Sequence, residues 1–223
     1  MNLGARISAD WNEKNQLGVR RALERMFQSV DALCDPDRHP FFDTPNRVFA
    51  LGYNRWIIAD YWMEQACKLG WIEGIKPVWE KNMRSTGPIR TLVLHGAHTK
   101  VSVVHLSAPD ESPRESRMRY EGRVDNESCP YLIGWDEAAV TRLAGPINLV
   151  LVYGDKAAEF AFLRAFNNSE DLSSYRDVTN NLFALTRSIQ IDGESVSEIK
   201  IDLMPPDQTD EDDQNQSPGS VAK

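Results

Sequence analysis

Cysteine is scarce in this chain. It occurs three times in 223 residues, at positions 34, 67 and 129, an odd number with no CxxC pair. That usage excludes a disulfide-stapled scaffold and a four-cysteine zinc module, and it fits reduced thiols in a cytosol. Long apolar runs are missing as well. The longest, such as INLVLVY at 147–153, fall far short of the roughly 20 residues that a membrane-spanning helix needs. The opening MNLGARISADWNEK has no apolar core for a signal peptide. The expectation is a cytoplasmic chain with no membrane partner.

Positive charge is in short supply too. The net charge is −8, which disfavours nucleic acid as a general partner while leaving room for a local basic patch. The imbalance is uneven: the last 18 residues, PDQTDEDDQNQSPGSVAK, hold five acids and one lysine, a net of −4, so residues 1–205 carry the other −4. No GxxxxGK[ST] loop, GxGxxG turn or GxSxG elbow is present, so no phosphate cradle, dinucleotide site or serine nucleophile is predicted, and no cofactor is expected. No internal repeat is visible.

What is present divides into two characters. In QLGVRRALERMFQSVDALC (16–34), Val19, Leu23, Met26, Phe27, Val30 and Leu33 fall on one narrow helical face. A loop with two prolines follows. Thr44–Pro45 then reads as a hydroxyl cap with proline at the first helical position, opening a helix, or a pair broken near Gly52, that stops at Gly70. Trp56, Ile58, Trp62, Met63, Ala66 and Leu69 make a broad arc, with Ile57 and Tyr61 outside it, as in a central helix packed on two sides. Tryptophans 56, 62, 71 and 79 in this region read as bulky core rather than as a platform for a flat ligand. The first ten residues look irregular.

Beyond about residue 88, short β-like runs take over: RTLVLHG, TKVSVVHL, RMRYEGRV, PYLIGW, INLVLVYGD, EFAFLRAF, RSIQID and EIKIDL. Several connections are too short for a crossover helix, which favours antiparallel neighbours. The segment 168–185 is a candidate further helix. The fold class expected is α+β, with an N-terminal helical layer (about 14–84) packed on a mostly antiparallel sheet (about 89–204). One domain then spans 1–204, helical over 12–84, and the acidic tail 205–223 buries too little apolar area to offset its ordering entropy and is expected to be disordered.

Four groups of residues suggest chemistry. His95, His98 and His105 sit in LVLHGAHTKVSVVHL with superficial metal-ligand spacing. The flanking alternation makes them a hairpin with a turn at GAHT, so His105 lies roughly 13–17 Å down the ladder from His95. Ligands of one ion lie within about 2 Å of it, so no metal site is predicted. Glu198 and Lys200 in SEIKID resemble the Glu-x-Lys of restriction-endonuclease-like nucleases, with Asp155 as the distant aspartate that the metal would need. Asp192, in an Asp–Gly turn, is about 20 Å away along the strand. Asp60 and Glu64 stand one helical turn apart, but Lys68 pairs naturally with Glu64, which predicts a solvated face. Finally Arg114, Arg117, Arg119 and Arg123 cluster with Tyr120, a combination suited to phosphate contact, though Glu115 and Glu121 dilute the charge. Of the cysteines, Cys67 falls on a buried helical face and is expected to be inert, while Cys129 lies in a loop. The catalytic constellations thus fail on spacing. The function expected is binding or regulation through a macromolecular partner, most simply a protein met by the arginine loop and the tail. The alternative is a divalent-metal nuclease built on Glu198, Lys200 and Asp155.

Overall fold

Helical period dominates the first third of the chain, and three helices form there. The computed structural model describes residues 3–44, 47–84, 87–113, 121–122, 125–126, 145–157, 159–166 and 175–185. The chain divides into a unit of residues 1–186 and another of 187–223, and every described residue belongs to the first. Helix α1 spans Leu3–Asp10, where an irregular start was expected. Its order comes from tertiary anchors, because Ile7 and the following Trp11 are buried in the core. Helix α2, Glu13–Leu33, is capped by Asn12, whose side chain accepts from the Asn15 amide at 3.0 Å. It buries Val19, Ala22, Leu23, Met26, Phe27 and Val30, the face its period predicted.

Helix α3, Arg47–Lys68, runs unbroken through Gly52. It ends at Gly70 in the left-handed region, with Trp71 N–H bonded to the Ala66 carbonyl at 2.9 Å and Gly70 N–H to Cys67 at 3.3 Å. This is the glycine stop that the sequence indicated. The packed face differs from the predicted arc. Ala59, Asp60, Met63 and Ala66 are buried, while Leu69 is exposed. The aromatic run hid this phase, because apolar residues occupy almost the whole circumference. Of the four tryptophans, Trp62 and Trp71 stack at 6.2 Å, Arg21 lies 3.9 Å over Trp71, and Trp79 is partly exposed.

A six-stranded sheet, in the order β1-β2-β3-β4-β5-β6, packs against the helices. Its strands are β1 Lys76–Arg84, β2 Gly87–His95, β3 Thr99–His105, β4 Ile147–Tyr153, β5 Ala161–Phe166 and β6 Tyr175–Asp177. The helical layer therefore ends at Lys68, and residues 76–84, expected within it, form a strand. Two left-handed glycines, Gly70 and Gly74, turn the chain, and KPVWEKNMR pairs in full with β2, from Lys76↔His95 to Arg84↔Gly87. The candidate helix at 168–185 is replaced, where described, by β6 and a 3-10 turn at Leu182–Ala184. The runs RSIQID and EIKIDL, the tail 205–223, PYLIGW and nearly all of RMRYEGRV lie outside the described residues. No helix among the described residues is long and apolar enough to cross a membrane.

All neighbouring strands are antiparallel except β3 and β4, which run parallel with His105 beside Tyr153. The fold is thus α+β with a mostly antiparallel sheet. In β4, Leu149, Leu151 and Tyr153 join the helix-side core, whereas Val150 and Val152 join Leu106 and Phe160 in a second cluster. A strand buried on both faces reads as a continuous apolar run, which is why INLVLVY shows no alternation.

Arg164 fixes the sheet's other face. It is 1% exposed, with Nε 2.7 Å from Asp177, Nη1 3.1 Å from the Glu111 carbonyl and Nη2 2.7 Å from that of Pro109. Its guanidinium lies 3.7 Å over the Tyr175 ring. Arg164→Met leaves Asp177 and two carbonyls without their donor, so a stability loss of about 3 kcal/mol is expected in urea denaturation. Arg164→Lys should not rescue it, because one ammonium cannot reproduce the planar fork.

Candidate functional site

The turn of the β2–β3 hairpin closes where GAHT predicted, with the Gly96 amide donating to the Thr99 carbonyl at 2.8 Å. Asp10, at the end of α1, reaches into it. Its carboxylate accepts from the amides of Ala97 at 3.1 Å and His98 at 2.8 Å and from the Thr99 hydroxyl at 2.8 Å. Trp11 Nε1 in turn donates to the same hydroxyl at 2.9 Å. A side-chain carbon on Gly96 would run into that carboxylate. The turn is therefore filled by the chain's own acid and serves architecture.

The three histidines separate as strand geometry demands. His95 Nε2 lies 3.0 Å from Glu80 on β1, and His105 Nε2 lies 2.7 Å from Asp155. The hairpin register, Val93↔Ser102 to His95↔Lys100, extends to place residue 105 opposite residue 90. No group of three or more His, Cys, Asp or Glu among the described residues is arranged to hold a metal ion.

His105 leads to a different constellation. β3 and β4 end side by side, at His105 and Tyr153, and both side chains take the helix-facing parity of their strands. Their rings meet edge to face at 5.4 Å. Asp155, two residues beyond β4, accepts from Arg55 of α3 as well as contacting His105. Asp60, on the same helix, is buried, and its charge acts on the Tyr153 phenol together with those of Arg55 and Asp155. Lys156 closes the outer side with a 2.7 Å bridge to Asp31 of α2. One helix and the carboxyl ends of two parallel strands thus assemble Arg55, Asp60, His105, Tyr153 and Asp155.

Electrostatics differ sharply within this group. Burial pushes the Asp60 carboxyl up to about 7. Burial also raises the Tyr153 phenol, helped by the negative charges of Asp60 and Asp155 and opposed by Arg55. Tyr153 therefore stays a neutral hydroxyl at physiological pH, while Asp60 is close to half-protonated. A carboxyl that titrates near neutrality can give or take a proton in ordinary conditions, and the His105–Asp155 contact is the geometry that orients an imidazole. Such perturbed groups gather at functional sites more often than elsewhere.

Asp60 corrects the expectation of a solvated Asp60–Glu64 face. Glu64 does pair with Lys68, at 3.0 Å, as predicted, but Asp60 points inward and is 3% exposed. Of the nuclease residues, Asp155 is engaged by Arg55 and His105, and Glu198 and Lys200 lie outside the described residues. So do Arg114, Arg117, Arg119, Tyr120, Arg123 and Cys129. Cys67 is half-buried, and burial together with Glu64 pushes its thiol up to about 11, which keeps it protonated and unreactive at neutral pH.

A second feature lies on the far side of α3. Phe49, Tyr53, Ile57 and Tyr61 follow each other at four-residue steps and are 78, 63, 47 and 51% exposed, with Val48 beside them. Four-residue steps put them in one row of about 18 Å. Sequence reasoning placed Ile57 and Tyr61 outside the packed arc but missed the row, whose signal is the strict i, i+4 spacing. Comparison of the chain with protein-family models, with curated proteins and with solved structures finds no match, so the site's own geometry carries the functional reading.

Proposed function

We propose that this chain acts in a reducing, cytoplasmic setting by binding a protein partner, and that the outer face of α3 is the contact. The observation that supports this reading is the unbroken exposed row Phe49, Tyr53, Ile57 and Tyr61. Single exposed apolar residues are ordinary, but a continuous patch is not. Aromatic side chains bury large areas with few torsions to freeze, which is why they dominate contact energies between proteins. The partner that fits is a protein presenting an apolar helix or groove of matching length. Arg114, Arg117, Arg119 and Arg123 with Tyr120, and the acidic tail 205–223, would add charge steering to the encounter.

The test compares the wild-type chain with Phe49→Asp/Ile57→Asp in affinity capture from the native host and in sedimentation velocity. The row is solvent-facing, so the double variant should fold normally. A partner held by the wild type and lost by at least about tenfold in the variant supports the reading. Self-association abolished by the same substitutions would assign the face to a second copy of the chain. A chain that recovers no partner, yet degrades nucleic acid with added magnesium and stops doing so in Glu198→Gln, would replace this reading with the nuclease.

A further inference from the structure

The β1–β2 hairpin is cationic in an acidic chain. Residues 76–95 hold Lys76, Lys81, Arg84 and Arg90 against Glu80, a net of +3, while the whole chain is −8, which leaves −11 elsewhere. That one acid is already engaged, with His95 Nε2 3.0 Å away. The hairpin also outruns the sheet. β2 pairs with β1 over nine positions but with β3 only at Val93–His95, and β1 is an edge strand. The five pairs from Glu80↔Thr91 to Arg84↔Gly87 therefore form a two-stranded ribbon, roughly 17 Å long, with no third strand paired to it among the described residues.

One face of this hairpin changes character along its length. Leu94 and Leu92 lie on it and are buried in the helix-side core. Trp79, opposite Leu92, is 39% exposed, and the next pair outward on the same face, Lys81↔Arg90, is exposed on both strands. Like charges directly opposed across an antiparallel pair destabilise it, and the flanking pairs Trp79↔Leu92 and Met83↔Pro88 supply no acid. Lysine on an edge strand is a common guard against sheet-to-sheet association. That role accounts for Lys81 on β1, but not for Arg90, which sits on the inner strand. An anion held between the two side chains turns their repulsion into attraction. Trp79 stands two residues, about 7 Å, along β1 from Lys81, so a flat ring stacked on its indole can carry an attached phosphate to the pair.

We infer that this face of the ribbon binds single-stranded nucleic acid, with a base stacked on Trp79 and backbone phosphate held between Lys81 and Arg90. An exposed aromatic ring beside paired cations is the chemistry of sequence-tolerant single-strand contact. A polyanionic chain of carboxylates would satisfy the two cations but has no flat ring to offer the indole. In a duplex the bases are stacked on one another, and none is free to lie on Trp79. The negative charge of the remaining chain repels phosphate and confines the contact to the ribbon, so the affinity is modest. This surface and the α3 row are separate segments, and neither needs the other.

The experiment follows the fluorescence anisotropy of a labelled oligothymidylate of about 15 nucleotides as the purified full-length chain is added. EDTA is present throughout, so binding is read without metal-dependent cleavage. A duplex of the same length and polyglutamate are the comparison probes. The wild type should bind the single strand in the micromolar range at low salt, and the duplex and polyglutamate at least about tenfold more weakly. Its affinity should fall with salt at a log–log slope of about −1.4 or steeper, from roughly 0.7 for each of two phosphate contacts. Lys81→Gln/Arg90→Gln should weaken binding by at least about tenfold and flatten the slope by about 1.4. Trp79→Leu, which keeps an apolar contact for the buried part of the ring, should weaken binding about tenfold with the slope unchanged. Lys81→Glu sets opposite charges across the ladder, so it should fold at least as well as the wild type and still lose the oligonucleotide. Failure of the oligothymidylate to bind overturns the proposal, as does equal binding of the duplex or of polyglutamate. Wild-type affinity in Lys81→Gln/Arg90→Gln or in Trp79→Leu overturns it as well. None of these results bears on the α3 face, which is tested by its own variants.

Discussion

Asp60→Asn is expected to stabilise this protein by about 4 kcal/mol at pH 8 and by almost nothing near pH 4. The carboxyl titrates near its ordinary value of 3.8 in the unfolded chain and at about 7 in the folded one. Between those two values the folded state binds more protons than the unfolded state, so stability falls as pH rises. The loss is absent below the lower value, grows through the interval by about 1.4 kcal/mol per pH unit, and is complete above the upper one. Asparagine keeps the shape, carries no charge and removes the slope. Urea denaturation of both proteins at pH 5, 6, 7 and 8 should therefore give midpoints that diverge steadily. Parallel midpoints would mean that Asp60 is ionised in the folded protein without penalty, and the buried environment described for it would be wrong.

The second large effect lies at the opposite end of the parallel pair, where the strands begin. Asp10→Ala should lower stability by about 5 kcal/mol, because three donors, the Ala97 and His98 amides and the Thr99 hydroxyl, lose one charged acceptor. Hydrogen bonds to a charged group contribute roughly 1.5–3 kcal/mol each. The loss should be visible residue by residue, since the Ala97 and His98 amides ought to exchange with solvent far faster in the variant. Asp10→Asn should recover only part of the stability, because one amide oxygen replaces two carboxylate oxygens. A loss below about 1 kcal/mol would show that the turn holds itself together through its own backbone. The far ends of β3 and β4, at His105 and Tyr153, lie six residues further along the strands, so the His105–Asp155 contact should survive Asp10→Asn.

Much of the architecture was legible because it rests on local periodicity. The α2 face, the hairpin at GAHT, the strand INLVLVY and the glycine stop at Gly70 each follow from patterns within a few residues. The misses share a different origin. KPVWEKNMR carries no strict alternation, and it becomes β1 because β2 offers it nine paired positions. MNLGARISAD is short for a helix, and α1 stands because Ile7, Asp10 and Trp11 are anchored in distant parts of the chain. The phase of α3 could not be read from a segment that is apolar almost all round.

The candidate site was visible only in pieces. His105 and Asp155 each stand at the end of an apolar run, and Asp60 was noticed as a partner for Glu64. Their convergence depends on β3 and β4 lying parallel, across a connection of some forty residues that local patterning cannot orient. By itself, then, the sequence determined the α+β class, the main helices and strands, and the separation of the histidines along one ladder. Only the tertiary structure decided that Asp60 turns inward, that Arg55 reaches Asp155, and that Phe49, Tyr53, Ile57 and Tyr61 face outward. The physical reason is one of range. Periodicity reports which side of an element is apolar, whereas burial, charge pairing and pKa depend on what a distant segment brings against that side.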